Sequence, residues 1–255
     1  MCLAVVAVDA HPRYALVVAA NRDEVHARAT APAHWWSDRA NLLAGRDLEA
    51  GGTWLGVTRQ GRFAFVTNVR DAARRDAAAP SRGALVLRVL DDPRDAATAL
   101  ADAHADTRYN GYNLVAGDLS RALWISNRAP APRVLLPGVH GVSNAQLDTA
   151  WPKLLRVKAA VAAWARDGDP DLAPLFAPLA DRATTPDDAL PSTGVALERE
   201  RLLSAPFIVS PRYGTRSSTV LTVSRDGEAV FHERSFDAAG RATREVTERF
   251  AITPR

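Results

Sequence analysis

The chain opens with two valine-rich runs, Cys2 to Val8 and Tyr14 to Ala20, that are apolar at consecutive positions instead of alternating. Strands covered by a layer on each face have this pattern. Between the runs lies Asp9-Ala-His-Pro-Arg13, which favours a turn, so a β-hairpin in a buried sheet is predicted. Shorter apolar runs predict strands at Thr53 to Thr58, Phe63 to Val69, Tyr112 to Gly117, Ala122 to Ser126 and Val134 to Leu136. Leu154, Val157, Val161 and Trp164 recur at helical spacing and predict a helix over Thr149 to Arg166, with a shorter piece around Asp171 to Ala180. A further helical region, Ser81 to Ala105, is broken near Asp91-Asp92-Pro93. Strands at Ser218 to Ser224, Ala229 to Phe236 and Thr243 to Ile252, with turns at Asp226-Gly227 and Ala239-Gly240, predict a closing meander.

Three segments read as loops. Asp71 to Ala79 is alanine- and charge-rich, Thr184 to Leu203 carries one helical turn, and Trp35-Trp36 forms a loop anchor or a pocket lid. Strands at both ends and helices between them suit two stacked antiparallel sheets flanked by helices, an α+β arrangement. No linker is visible, and 255 residues lie at the upper end of what one core serves, so a single domain over 1–255 is expected.

Composition narrows the function classes. Apolar residues make up 47% and charged residues 24%, as in an ordinary globular protein. The net charge is only +3, and no Lys/Arg-rich block marks a nucleic-acid partner. Leu3 to Val8 is too short for a signal peptide or a spanning helix, which leads us to expect a cytoplasmic protein with no integral membrane segment. The single cysteine forms no internal disulfide, and the six histidines show no ligand spacing, so no metal site is expected; His140 alone lies near a motif discussed below.

That cysteine is Cys2. Excision of the initiator methionine would leave it with a thiol and a free α-amine, which titrate near about 8.5 and about 8 respectively, close enough for the amine to take the thiol proton. A buried free cysteine is also commonly just a small hydrophobe. Directly after the second apolar run come Asn21-Arg22-Asp23-Glu24. An arginine within about 4 to 6 Å of a thiol favours the thiolate, and a carboxylate can orient an amine. The same four residues could equally form a solvated turn.

Six ordered motifs extend this reading: Met1-Cys2, Ala20-Asn-Arg-Asp-Glu24, Gly52-Thr-Trp-Leu-Gly56, Thr67-Asn68-Val69, Gly141-Val-Ser-Asn144 and Tyr213-Gly-Thr-Arg-Ser-Ser-Thr219. Together they resemble the NRDE family, also called the transport and Golgi organisation protein 2 family. The resemblance implies a four-layer αββα sandwich of the N-terminal-nucleophile (Ntn) hydrolase type. That fold is shared with conjugated bile salt hydrolases and penicillin V acylases, whose processed N-terminal cysteine attacks an amide carbonyl. Carried over by resemblance, Cys2 is the nucleophile and its α-amine the base, Asp23 binds that amine, and Arg22 lies near the thiolate. Asn144 offers its side-chain amide to an oxyanion, with the Asn68 backbone N–H as second donor, and Arg216 supports the thiol pocket. Arg22 and Asp23 are adjacent, so both cannot face Cys2 along an unbroken strand; Asp23 is the firmer assignment.

The activity implied is cleavage of a small non-peptide C–N amide through a thioester acyl-enzyme, with no cofactor. The alternative is a non-catalytic protein that binds and carries haem or a lipid or acyl-CoA in the same pocket, since family members are linked to such ligands.

Overall fold

The structure is a computed structural model and describes residues 2–119 and 121–253. The opening hairpin forms as expected: β1 (Cys2–Val8) runs antiparallel to β2 (Tyr14–Val25), with Asp9 in the turn at a φ of 47°. Strand β2 continues past the expected end at Ala20 through the polar residues Asn21 to Glu24. The reason is pairing on both sides, with β1 opposite Leu3 and Cys2 and with a late strand described below.

Next come β3 (Thr30–Trp36), β4 (Arg39–Asp47), β5 (Leu55–Thr58) and β6 (Phe63–Asn68). Helices α1 (Gly83–Asp91) and α2 (Ala96–Ala105) follow, broken where Pro93 was expected to break them. Then β7 (Tyr112–Gly117), β8 (Ala122–Ser126), β9 (Arg133–Leu135) and β10 (Gly138–Val142) lead to α3 (Pro152–Asp167). Two short helices, α4 (Phe176–Leu179) and α5 (Leu197–Leu202), precede the meander β11 (Tyr213–Ser224), β12 (Glu228–Phe236) and β13 (Ala242–Ala251).

The strands form two antiparallel sheets, ordered β10-β1-β2-β11-β12-β13 and β3-β4-β5-β6-β7-β8-β9. Twofold alternation explains why the first runs are apolar throughout. Ala4, Val6, Val18 and Ala20 pack between the sheets against Phe63, Phe65, Trp124 and Phe231, whereas Leu3, Val5, Val17 and Ala19 pack on Leu154, Val157, Val161 and Leu179 of α3 and α4. On the far side of the second sheet, Ala64, Val66, Leu114 and Ala116 pack on Leu85, Val89 and Leu100 of α1 and α2. Helix, sheet, sheet, helix is the four-layer αββα order.

Several expectations need correction. Trp35 and Trp36 stand in β3, not in a loop, and β4 was not anticipated at all. Pro32 interrupts the pattern there, yet β3 is an edge strand, where a residue without an N–H is tolerated. Trp36 is buried, its indole N–H donating to the Ala44 carbonyl at 3.0 Å, while Trp35 meets Phe250 edge to face, so neither is a lid. The strand expected from Thr53 begins at Leu55 and that from Ser218 begins at Tyr213, while β10 lies as an edge strand beside β1.

Asn21 couples the sheet to the helical layer, donating from Nδ2 to the carbonyls of Leu179 (2.7 Å) and Pro206 (2.9 Å) and accepting from Ser218 Oγ (2.6 Å). Asn21→Ala strands these buried groups. Urea denaturation should show a loss of about 2–3 kcal/mol, given about 1–3 kcal/mol for each buried group left unsatisfied; a loss under about 0.5 kcal/mol, the scale of an ordinary surface substitution, would disprove the coupling.

Candidate functional site

Cys2 heads β1 and pairs directly with Arg22 of β2. Residues opposite one another in an antiparallel pair project from the same face. Cys2 shares its face with Ala4 and Val6, so the thiol and the Arg22 side chain both project into the space between the sheets. They open on a cavity of about 310 Å³ whose wall includes Thr53, Trp54, Asn68 and Arg82. Arg22 Nη1 donates to Thr30 Oγ1 at 3.2 Å, and its guanidinium stacks over the Trp54 ring at 4.6 Å.

Asp23 turns to the opposite face. Strand β2 runs unbroken through both residues, and the carboxylate accepts from Thr215 Oγ1 at 2.7 Å on the side of the helical layer. Only one of the two adjacent side chains can face the thiol, as alternation requires: Arg22 shares the face of Cys2, and Asp23 does not. Asp23 still borders the cavity, because the site lies at the strand end. Burial pushes its carboxyl above the usual range, with the charge of Lys153 acting in the opposite sense. Burial, and to a lesser degree the charge of the Asp23 carboxylate, raise the Cys2 thiol, while the Asp23 backbone amide and the Arg22 guanidinium favour the thiolate.

Asn144 follows β10 and reaches the same place. Its Nδ2 donates to the Asn68 carbonyl at 3.0 Å and to the Cys2 carbonyl at 3.4 Å, so it ties β1 to β6. Ser143 Oγ also donates to the Cys2 carbonyl, at 3.3 Å. Asn68 lies at the end of β6. Since Val69 N–H bonds to the Gly111 carbonyl at 2.9 Å, antiparallel alternation turns the Asn68 N–H away from β7, toward the side where β5 has ended.

Arg216 is not brought to the thiol. It occupies a bulge in β11, between Thr215 and Ser217, and its Nη1 donates to the carbonyls of Val25, His26 and Arg28 at 3.0 to 3.1 Å. It fastens the turn after β2 and lines a separate cavity. His140 is engaged by Asp148 Oδ2 at 3.0 Å and the Leu136 carbonyl at 2.8 Å.

Several cationic residues near the site were not anticipated; Arg28 and Arg75 line the cavity, and Lys153 and Arg82 are held by backbone carbonyls. Lys153, 2% exposed on α3, donates to the Leu203 carbonyl at 2.9 Å, and burial lowers its pKa to about 8. Its position was readable, because Lys153 lies on the same helical stripe as Val157, Val161 and Trp164. Arg82 precedes α1 and donates to the Gly111 carbonyl at 3.0 Å. Its placement depends on glycine: a Cβ on Gly52 would lie 2.7 Å from the Gly83 carbonyl carbon, so only bare backbones let α1 start against this loop. No sequence period announces such an approach.

Among the described residues no group of three or more His, Cys, Asp or Glu side chains could hold a metal ion, and no helix is long and apolar enough to cross a membrane.

Two stacked antiparallel sheets between helical layers, with a cysteine heading an interior strand, define an Ntn-hydrolase fold. Solved structures with this likeness include a mutant of the conjugated bile acid hydrolase from Clostridium perfringens (TM-score 0.53, 9% identity, covering 100% of this chain and 98% of that one). Another is the N-acylethanolamine-hydrolyzing acid amidase ortholog from Caenorhabditis elegans (TM-score 0.52, 12% identity, covering 86% and 92%). The family model of Transport and Golgi organisation 2 matches residues 1–238. The Transport and Golgi organization protein 2 homologs of Bos taurus and Homo sapiens are 37% and 36% identical to this chain, each over 92% of it and 93% of the relative. The chain belongs to the Transport and Golgi organisation 2 family.

The buried lysine makes stability depend on pH. With its pKa lowered from 10.5 to about 8, Lys153 loses its proton in the folded protein while the unfolded chain keeps it, so its contribution to stability rises between those two values. The stability advantage of Lys153→Met over the parent should shrink by about 3 kcal/mol between neutral pH and the upper of the two values, as read from urea denaturation. A difference that stays flat across that window would show that the ammonium is not destabilised by burial.

Proposed function

We propose that the protein is a cysteine Ntn amidohydrolase that cleaves a small non-peptide C–N amide through a thioester. The observation that carries this reading is the thiol of Cys2 on a cavity wall, directly opposite Arg22, at the head of an interior strand. Excision of Met1, which lies outside the described residues, gives Cys2 the free α-amine that serves as base. That amine is a backbone group lying in the plane of the strand. A carboxylate on the helical face can therefore hold it while the thiol projects from the other face, and this is the role given to Asp23.

The amine takes the thiol proton and the sulfur attacks the amide carbonyl. The C–S bond forms, the C–N bond breaks, and the leaving amine receives the proton from the α-ammonium. Water then hydrolyses the thioester, with the α-amine again as base. Arg22 favours the thiolate. The Asn68 N–H and the side chain of Asn144 stabilise the oxyanion; the 3.4 Å bond from Asn144 to the Cys2 carbonyl is long, so that N–H is the one free to turn. Arg216 acts at a distance, by fastening the turn that follows Arg22 and Asp23. No cofactor enters this scheme. The names of the two structural neighbours, both hydrolases, support the same reaction class. Carriage of haem or a lipid would use the same cavity, but a wall with Arg22, Thr53, Asn68 and Arg82 suits a polar amide better than an alkyl chain or a porphyrin.

Intact-mass measurement during incubation with a panel of small amides tests the proposal. The expected outcome is a mature chain lacking Met1 that carries a transient acyl adduct, absent in Cys2→Ala and formed about 10²–10³-fold more slowly in Asn144→Ala, the usual cost of losing one oxyanion donor. A purified native protein that retains Met1 would rule out the mechanism, because Cys2 would then have no free amine.

A further inference from the structure

We infer that Trp54 is the specificity wall of the cysteine cavity: its indole separates the chamber at Cys2 from a second chamber and so sets how long a ligand can be. The inference rests on the reading that a ligand presents its reacting carbon to Cys2. Two cavities, of about 310 Å³ and about 210 Å³, share the same two side chains, Arg22 and Trp54, in their walls. The first holds Cys2. The second is lined by Glu233, Arg216, Ser217 and Arg244.

The partition is held from both sides. Arg22 stacks over the ring at 4.6 Å and is itself fixed by Thr30. The benzo edge rests on Gly45 of β4, where an added Cβ would lie 2.2 Å from Cη2 and 2.8 Å from Cζ3. The glycine thus makes room for the indole, which stands in the wall of both cavities. The second chamber offers charged and hydrogen-bonding groups beside the apolar Pro32 and Phe236: Glu233 is buried there and accepts from Ala33 N–H at 2.7 Å and from Thr219 Oγ1 at 3.3 Å, with the arginines 216 and 244 on the wall. The ligand class follows from this. Compact polar amides fit in front of Trp54, and amides extended by a hydrogen-bonding tail reach the second chamber only when the indole is removed.

Cys2 is the sole cysteine, so thiol-directed reagents report on this cavity alone. The probes are iodoacetamide and an iodoacetamide bearing a triethylene glycol tail on its nitrogen. In each case the thiolate sulfur displaces iodide; the C–S bond forms, the C–I bond breaks, and the thiol proton passes to buffer. The quantity read by intact mass is the ratio of the two alkylation rates, which cancels any change in thiol reactivity. In the parent the tailed reagent should be slower by about tenfold or more, the scale of discrimination an apolar pocket wall provides. In Trp54→Ala the ratio should fall to about twofold, with Trp54→Phe between the two.

A folded Trp54→Ala with the parental ratio overturns the inference, as does a parent that reacts equally fast with both reagents or with neither. Should Trp54→Ala fail to fold, Trp54→Phe decides: its ratio must move by about threefold or more, half on a logarithmic scale of the roughly tenfold discrimination expected of the parent. Alkylation needs no hydrolysis. A protein that turns over no amide but shows the length discrimination keeps Trp54 as the wall and loses only the amidohydrolase reading.

Discussion

Burying three consecutive polar side chains is the constraint around which this molecule is organised. Asn21, Arg22 and Asp23 are 1%, 5% and 1% exposed in the middle of a sheet. Each buried polar group left without a partner costs about 1–3 kcal/mol, and more when charged. Their partners are drawn from segments far away in sequence. Asn21 takes the carbonyls of Leu179 and Pro206, and Asp23 takes the hydroxyl of Thr215. Arg22 takes Thr30 and the face of Trp54. The irregular chain between α3 and β11 is thus held against the sheet by Asn21, the strand neighbour of the residues that build the site. The site and the docking of the helical layer are one network, and a substitution in either disturbs both.

Legibility in the sequence followed the range of the forces involved. The opening hairpin, the break at Pro93 and the stripe on α3 were readable because each is set by neighbours within a few positions. The pair β3 and β4 was not, since Pro32 and the two tryptophans mask any alternation and the strands are defined by partners across the sheet. Site residues divided in the same way. Cys2, Arg22, Asn68 and Asn144 were brought together as the motifs implied, by register between strands that the sequence does not reveal. Arg216 was not, because a single-residue bulge in β11 turns it toward the carbonyls after β2. Lys153 was overlooked although its helical position marks it as inward-facing.

The alternation along β2 gives the adjacent arginine and aspartate separate surroundings. Arg22 enters the space between the sheets with the thiol, and Asp23 enters the helical layer with Thr215 and the charge of Lys153. Had both faced the cavity, they would have paired with each other, and the guanidinium would have offered little to a thiolate. Among the described residues Arg22 forms no ion pair; an aromatic face and one hydroxyl support it instead. A π face stabilises a cation by about 0.5 to 2 kcal/mol without neutralising it, whereas a carboxylate would cancel its field. Arg22 therefore keeps its charge, which favours the ionised forms of the Cys2 thiol across the strand pair and of the Glu233 carboxyl in the second chamber. Trp54, in supplying that face, is bound both to the charge on Arg22 and to the partition between the chambers.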